Sequence, residues 1–161
     1  MNIEEYNKAV DMHSDGVYRF ILKNIKDSEK AKDIVQDTFV KLWINSGNVN
    51  YLKVKSYIFT AAYHTMIDVI RKDKRMSDFE NVREEKYSHS RQYSDLSEIL
   101  NEALQKLNEV QRSVIMLRDY EGYSYDEIGE ITGLSESQVK VYIFRARVLL
   151  KNYIGSIDAV V

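Results

Sequence analysis

The sequence predicts an all-α protein of two small helical domains joined by a flexible linker, the second a four-helix domain containing a helix-turn-helix. Three observations carry that prediction. The 161 residues hold no proline and only six glycines, so little interrupts a helix. Apolar residues recur at helical spacing through most of the chain. Finally, Ser124 to Glu127 and Ser135 to Gln138 are S-x-x-E and S-x-x-Q capping boxes, eleven residues apart, with Gly133 where the first helix must end. A short helix, a tight turn and a longer helix make the helix-turn-helix, whose second helix enters the major groove of DNA.

Taken in order, residues 3–25 read as helix with an interruption around Ser14 to Gly16, and Val17, Phe20, Ile21 and Ile25 give it an apolar face. Asp27 and Ser28 offer an N-cap for a helix reaching about Asn45. Its core side carries Ala31, Ile34, Val35, Thr38, Phe39 and Leu42, while Asp33, Gln36, Asp37, Val40 and Ile44 lie opposite. An acidic face with apolar residues set into it is either plain solvent surface or a docking face for a partner with a basic groove. Asn45 to Asn50 is a turn dense in Asn, Ser and Gly. From Lys53 to Arg75 the helix returns, with Ile58, Phe59, Ala62, Met66, Val69 and Ile70 inward. Tyr57, Thr60, His64, Asp68 and Arg71 point outward, ahead of a basic end containing Lys72 and Arg75. Aromatic groups among cations suit an unstacked single strand, and a basic C-terminus that complements the helix dipole is the plainer alternative.

Residues 76–96 have few aliphatic side chains and no helical stripe, and read as linker. Beyond them, Leu100, Ala103, Leu104 and Leu107 define one helix, and Asn108 caps another that Gly122 stops. The last helix keeps Val139, Ile143, Ala146 and Leu150 in one stripe. Ser137, Val141 and Phe144 lie opposite it, flanked by Lys140 and Arg145. Those groups suit thymine methyls, guanine and phosphate. A solvated face on an ordinary helical hairpin is the plainer reading.

Net charge is −2, too little positive charge for a protein that holds DNA unaided. The distribution is uneven. Residues 95–134 carry nine acids against three bases, whereas 135–153 carry one acid against four bases. Cations therefore gather on the candidate reading helix, and weak DNA affinity that relies on something else for placement is expected. There is no cysteine, which excludes disulfides and thiolate metal sites. The N-terminus lacks a signal-peptide pattern and no apolar run approaches membrane-spanning length, so a cytoplasmic protein without membrane insertion is expected. His13, His64 and His89 lack metal-ligand spacing, and no phosphate-cradling loop or nucleophile–base pair is visible, so neither catalysis nor a cofactor is expected.

These residues, taken together, resemble an extracytoplasmic-function sigma factor over nearly the whole chain. Ala31-Lys32-Asp33-Ile34-Val35-Gln36-Asp37-Thr38-Phe39 with Leu42-Trp43 is similar to the family's A-E-D-x-x-Q-E-x-F-x-x-L-W. Ser56 to Ile58, Ile67-Asp68 and Arg71-Lys72 resemble its S-W-L-x-x-I-A-R-N-x-x-I-D-x-x-R-R, with Tyr57 for tryptophan, Tyr63 for arginine and His64 for asparagine. Gly122 to Ile128, Ser135 to Lys140 and Arg145-Ala146-Arg147 match its G-x-S-x-x-E-I and S-x-x-T-V-K-S-R-L-x-R-A-R. Asn108 replaces a frequent proline, Val141 a serine and Tyr142 an arginine.

The resemblance implies region 2 over 1–76, a linker over 77–96 and region 4 over 97–161. It implies docking of Asp33, Gln36, Asp37 and Val40 on the β′ clamp helices of core RNA polymerase, with the β flap as a second contact. Tyr57, Thr60, His64, Asp68, Arg71, Lys72 and Arg75 would hold the opened −10 element, with a base flipped into the Asn45 to Leu52 loop. Ser137, Gln138, Lys140, Val141, Phe144 and Arg145 would read the −35 element as duplex. Promoter DNA and an anti-sigma factor complete the implied partners. The rival from a different class is a stand-alone helix-turn-helix regulator, which predicts a palindromic operator and tight binding without polymerase.

Overall fold

The computed structural model describes residues 1–80 and 96–155, and within them every regular element is helical. Helix α1 (Ile3–Ile25) begins with a reciprocal capping box between Asn2 and Glu5 and ends on Lys26, which adopts the left-handed conformation at φ 63°. The expected interruption at Ser14 to Gly16 is a correction, for α1 is continuous through it. A lone glycine costs a helix only about 1 kcal/mol. The burial of Ala9, Val17, Phe20 and Ile21 on the same helix outweighs that, since one large apolar side chain contributes about 1.5–3 kcal/mol.

Helix α2 (Ser28–Ile44) starts where the Asp27 carboxylate accepts the amides of Glu29 and Lys30. Two single 3-10 turns, Ser46–Asn48 and Tyr51–Lys53, then lead into α3 (Val54–Glu80). Helix α3 runs beyond the expected Arg75 because Met76 to Glu80 contain no breaker, so residues 77–80, expected in the linker, are helical. Of the rest of that expected linker, 81–96, Leu96 already begins the next helix, and 81–95, like the terminal 156–161, lie outside the described residues. α1, α2 and α3 pack mutually around Ile34, Phe39, Leu42, Ile58, Phe59 and Met66. Buried Thr38 donates its hydroxyl to the Ile34 carbonyl at 2.8 Å. Val35, Val69 and Ile70, expected inside, are half-buried.

In the second half, α4 (Leu96–Leu104) precedes α5 (Glu109–Ile115), which Asn108 and Gln111 cap reciprocally. α5 widens into a π-turn over Met116–Tyr120, with the Glu121 amide donating to the Met116 carbonyl. α6 (Tyr125–Thr132) and α7 (Glu136–Gly155) follow, and α7 packs on α4, α5 and α6. Val139, Ile143 and Ala146 are buried on its inner stripe, and Leu150 half-buried.

The two halves lie against each other, α3 on α6 and α1 on α5. Phe59 bridges them, meeting Phe20 and Tyr123 edge-on with both centroid separations at 5.7 Å. One buried apolar cluster therefore runs through both. No helix among the described residues is long and apolar enough to cross a membrane.

Candidate nucleic-acid and protein interfaces

The outer face of α2 follows from its register. With Ala31, Ile34, Thr38 and Leu42 turned into the core, Asp33, Gln36, Asp37 and Val40 are all exposed, as their spacing predicts. Trp43 and Ile44 extend the same surface with 48% and 72% of their area in solvent. Asp37 pairs with Lys41 one turn on, at 3.3 Å, a contact that contributes only about 0.3–0.5 kcal/mol on an exposed helix. The face thus combines carboxylates with uncovered apolar area, an arrangement suited to a protein partner.

At the other end of α2 the two 3-10 turns fold the loop back over the start of α3. Asn45, Asn48, Val49, Asn50, Lys53 and Tyr57 line a cleft of about 460 Å³. The Asn45 amide donates to the Tyr57 hydroxyl at 3.0 Å, and Asn50 accepts the Leu52 amide at 2.9 Å. A polar rim, one aromatic wall and an adjacent cation can accept a planar base and its phosphate. Leu52, in the same loop, is 88% exposed. Along α3 from this cleft, Tyr57 and Thr60 are half-buried, and His64, Asp68, Arg71, Lys72 and Arg75 are exposed. These side chains form one outward track. Tyr63, which stands where the family often has arginine, is 7% exposed and packs edge-on to His64 at 5.5 Å. It therefore supports the track from beneath, and burial raises its hydroxyl pKa.

The helix-turn-helix is set by two glycines. Gly133 ends α6 at φ 82°, its amide donating to the Gly129 carbonyl at 2.8 Å, a left-handed cap that glycine adopts without steric penalty. A Cβ on Gly129 would stand 2.8 Å from the Leu134 carbonyl oxygen, so the turn closes only over a bare α-carbon. The second capping box is present: the Ser135 amide donates to the Gln138 side chain at 2.9 Å, and the Gln138 amide to the Ser135 hydroxyl at 3.1 Å. Ser137, Gln138, Lys140, Val141, Phe144 and Arg145 all lie exposed on α7, with Phe144 68% open. Ser137, Gln138, Val141, Tyr142 and Arg145 line a shallow notch of about 230 Å³. Lys140 is shared between Glu136 at 3.6 Å and the Tyr125 ring at 5.7 Å. Arg147 is drawn away from this face to Asp119 at 2.7 Å, and that hydrogen bond raises its pKa.

Comparison with known proteins shows the family of the chain. The Sigma-70 region 2 family matches residues 9–76 and the Sigma-70, region 4 family matches 97–150. The chain is 33% identical to the RNA polymerase sigma factor YlaC of Bacillus subtilis over 144 residues, covering 84% of this chain and 83% of YlaC. With the ECF RNA polymerase sigma factor SigM of the same organism it shares 31% over 160 residues, 94% of each. Among solved structures, the sigma factor RpoE of Bartonella quintana, crystallised in complex with the anti-sigma factor NepR, superimposes with a TM-score of 0.81 at 26% identity. That match covers 97% of this chain and 99% of RpoE.

Proposed function

The chain belongs to the extracytoplasmic-function sigma factors, of the two-domain type, and directs promoter-specific transcription initiation by RNA polymerase; on that premise we propose how its residues divide the work. The first half, 1–76, acts as region 2. Asp33, Gln36, Asp37 and Val40 dock on the β′ clamp helices of core polymerase, where carboxylates meet a basic groove and the open apolar area of Val40, Trp43 and Ile44 is covered. The 97–161 half acts as region 4 and rests on the β flap, with 77–96 joining the two.

The opened −10 element runs along Tyr57, Thr60, His64, Asp68, Arg71, Lys72 and Arg75. One of its bases turns out into the cleft of Asn45, Asn48, Asn50, Lys53 and Tyr57. That cleft is the observation that carries this reading, because a paired duplex has no base free to enter it. The −35 element is read as duplex in the major groove by Ser137, Gln138, Lys140, Val141, Phe144 and Arg145. An anti-sigma factor masks these faces until a signal arrives; the similar sigma factor RpoE was crystallised in complex with the anti-sigma factor NepR. We infer a chain that works by binding, without chemistry of its own, in the cytoplasm. The stand-alone regulator is disfavoured, since both halves match sigma regions in order.

Initiation by core polymerase on a linear promoter template, with and without the protein, tests the reading. Substituting Asn48→Ala and Tyr57→Ala together should reduce open-complex formation, scored by permanganate reactivity of unpaired thymines, while β′ pull-down persists. Undiminished melting by that pair would remove the cleft from the account.

A further inference from the structure

We propose that the shallow notch on the outer face of α7 reads one thymine of the upstream element. Its 5-methyl group sits against Val141 and the Tyr142 ring, and its O4 carbonyl accepts from the Gln138 side-chain amide. The proposal rests on the assignment of α7 to the −35 element and names a base that this chain reads there.

The capping box decides what Gln138 can offer. Its side-chain oxygen accepts the Ser135 amide at 2.9 Å, while its own backbone amide donates to the Ser135 hydroxyl at 3.1 Å. That reciprocal pair starts α7 and fixes the orientation of the side-chain amide, so the nitrogen is the group left to face DNA. A glutamine reads adenine with its oxygen and nitrogen together, the oxygen taking the N6 amino group. Here the oxygen is engaged. The N–H groups that remain need an acceptor, which is N7 or O6 of guanine or O4 of thymine.

The walls of the notch decide between those two bases. Val141 is 43% exposed, and Tyr142 is half-buried with its side chain packed against the core. Together with Ser137, Gln138 and Arg145 they line the notch of about 230 Å³. Val141 and Tyr142 stand where the family's pattern carries serine and arginine, so apolar surface takes the place of a hydroxyl and a cation. In the major groove thymine alone carries a carbonyl oxygen and a methyl group on one edge. A donor beside an apolar wall is the complement of that edge. Guanine would set a second acceptor against the wall and leave it unsatisfied. Arg145, at the rim, supplies a cation for the adjoining phosphate.

Deoxyuridine tests this by removing the methyl group alone. The full-length protein with core polymerase first selects initiating templates from a library randomised upstream. Each thymine of the recovered block, on either strand, is then replaced singly by deoxyuridine, or by 5-methyldeoxycytidine opposite guanine. Deoxyuridine at one position should weaken holoenzyme binding about fourfold, the effect of one buried methyl group. Val141→Ser, a change at an exposed site, should bind thymine and uracil equally there. 5-Methylcytosine keeps the methyl group but presents an amino group in place of O4, and should weaken binding at that position by about fivefold or more. Gln138→Glu retains an oxygen for the Ser135 amide and offers a second acceptor to DNA, so it should reverse that preference in favour of 5-methylcytosine. A recovered block without an A·T pair, or one in which thymine and uracil bind alike at every position, would overturn the proposal. So would methyl dependence that survives Val141→Ser and disappears in Phe144→Ala. If scrambling the whole block changes nothing, the assignment of α7 to the upstream element falls and the notch with it, a result distinct from methyl insensitivity in a block that matters.

Discussion

Lys140 and Phe144 are the residues on which upstream recognition is most exposed to test. Both lie in solvent opposite the buried Val139–Ile143–Ala146 stripe, so Lys140→Ala or Phe144→Ala should leave the fold and β′ association intact. Loss of one good base contact weakens discrimination by about 1–3 kcal/mol, about 5- to 150-fold, measured as initiation on templates with native against scrambled upstream elements. Gly129 makes a sharper structural prediction. With the Leu134 carbonyl 2.8 Å from any added Cβ, Gly129→Ala should lower stability by about 1–3 kcal/mol in urea denaturation, as overpacking does. His13 offers a pH test. Burial first, and the Lys55 charge second, lower its pKa from 6.5 although Glu121 opposes them. The unfolded chain therefore binds the proton more readily. That contribution favours folding above pH 6.5 and is lost as pH falls below 6.5 toward the lower folded value. Thermal melts from pH 7.5 to 5 should show that loss, and His13→Gln should flatten it.

Helix faces were the most legible feature of the sequence, because a 3.6-residue period sorts core from surface wherever apolar residues are dense. Ala31, Ile34, Thr38 and Leu42 went inward together, which placed Asp33, Gln36, Asp37 and Val40 outward without further information. The two capping boxes likewise marked the starts of α6 and α7. Less legible were features that depend on contact between distant segments. The break expected at Ser14 to Gly16 rested on local propensity, and burial of the flanking turns overrode it. Asn24, Arg112 and Ser113 carry no apolar signal, so their burial against one another could not be read from periodicity. At this scale, Asp33→Arg with Asp37→Arg should abolish polymerase pull-down while circular dichroism stays helical, since both sites are solvent-exposed. Unchanged capture of β′ by that variant would move the docking face elsewhere.

For the whole molecule, modest net charge and the two proposed reading faces predict weak DNA binding by the chain alone, with attachment to the polymerase raising the effective concentration of both. The most direct measurement is to map transcript starts made by core polymerase on a random-template library, with and without the protein. The account predicts new starts preceded by two sequence blocks, with Lys140→Ala relaxing only the upstream block and Asn48→Ala with Tyr57→Ala only the downstream one. Starts unchanged by the protein, or new starts preceded by a single palindromic block, would contradict it.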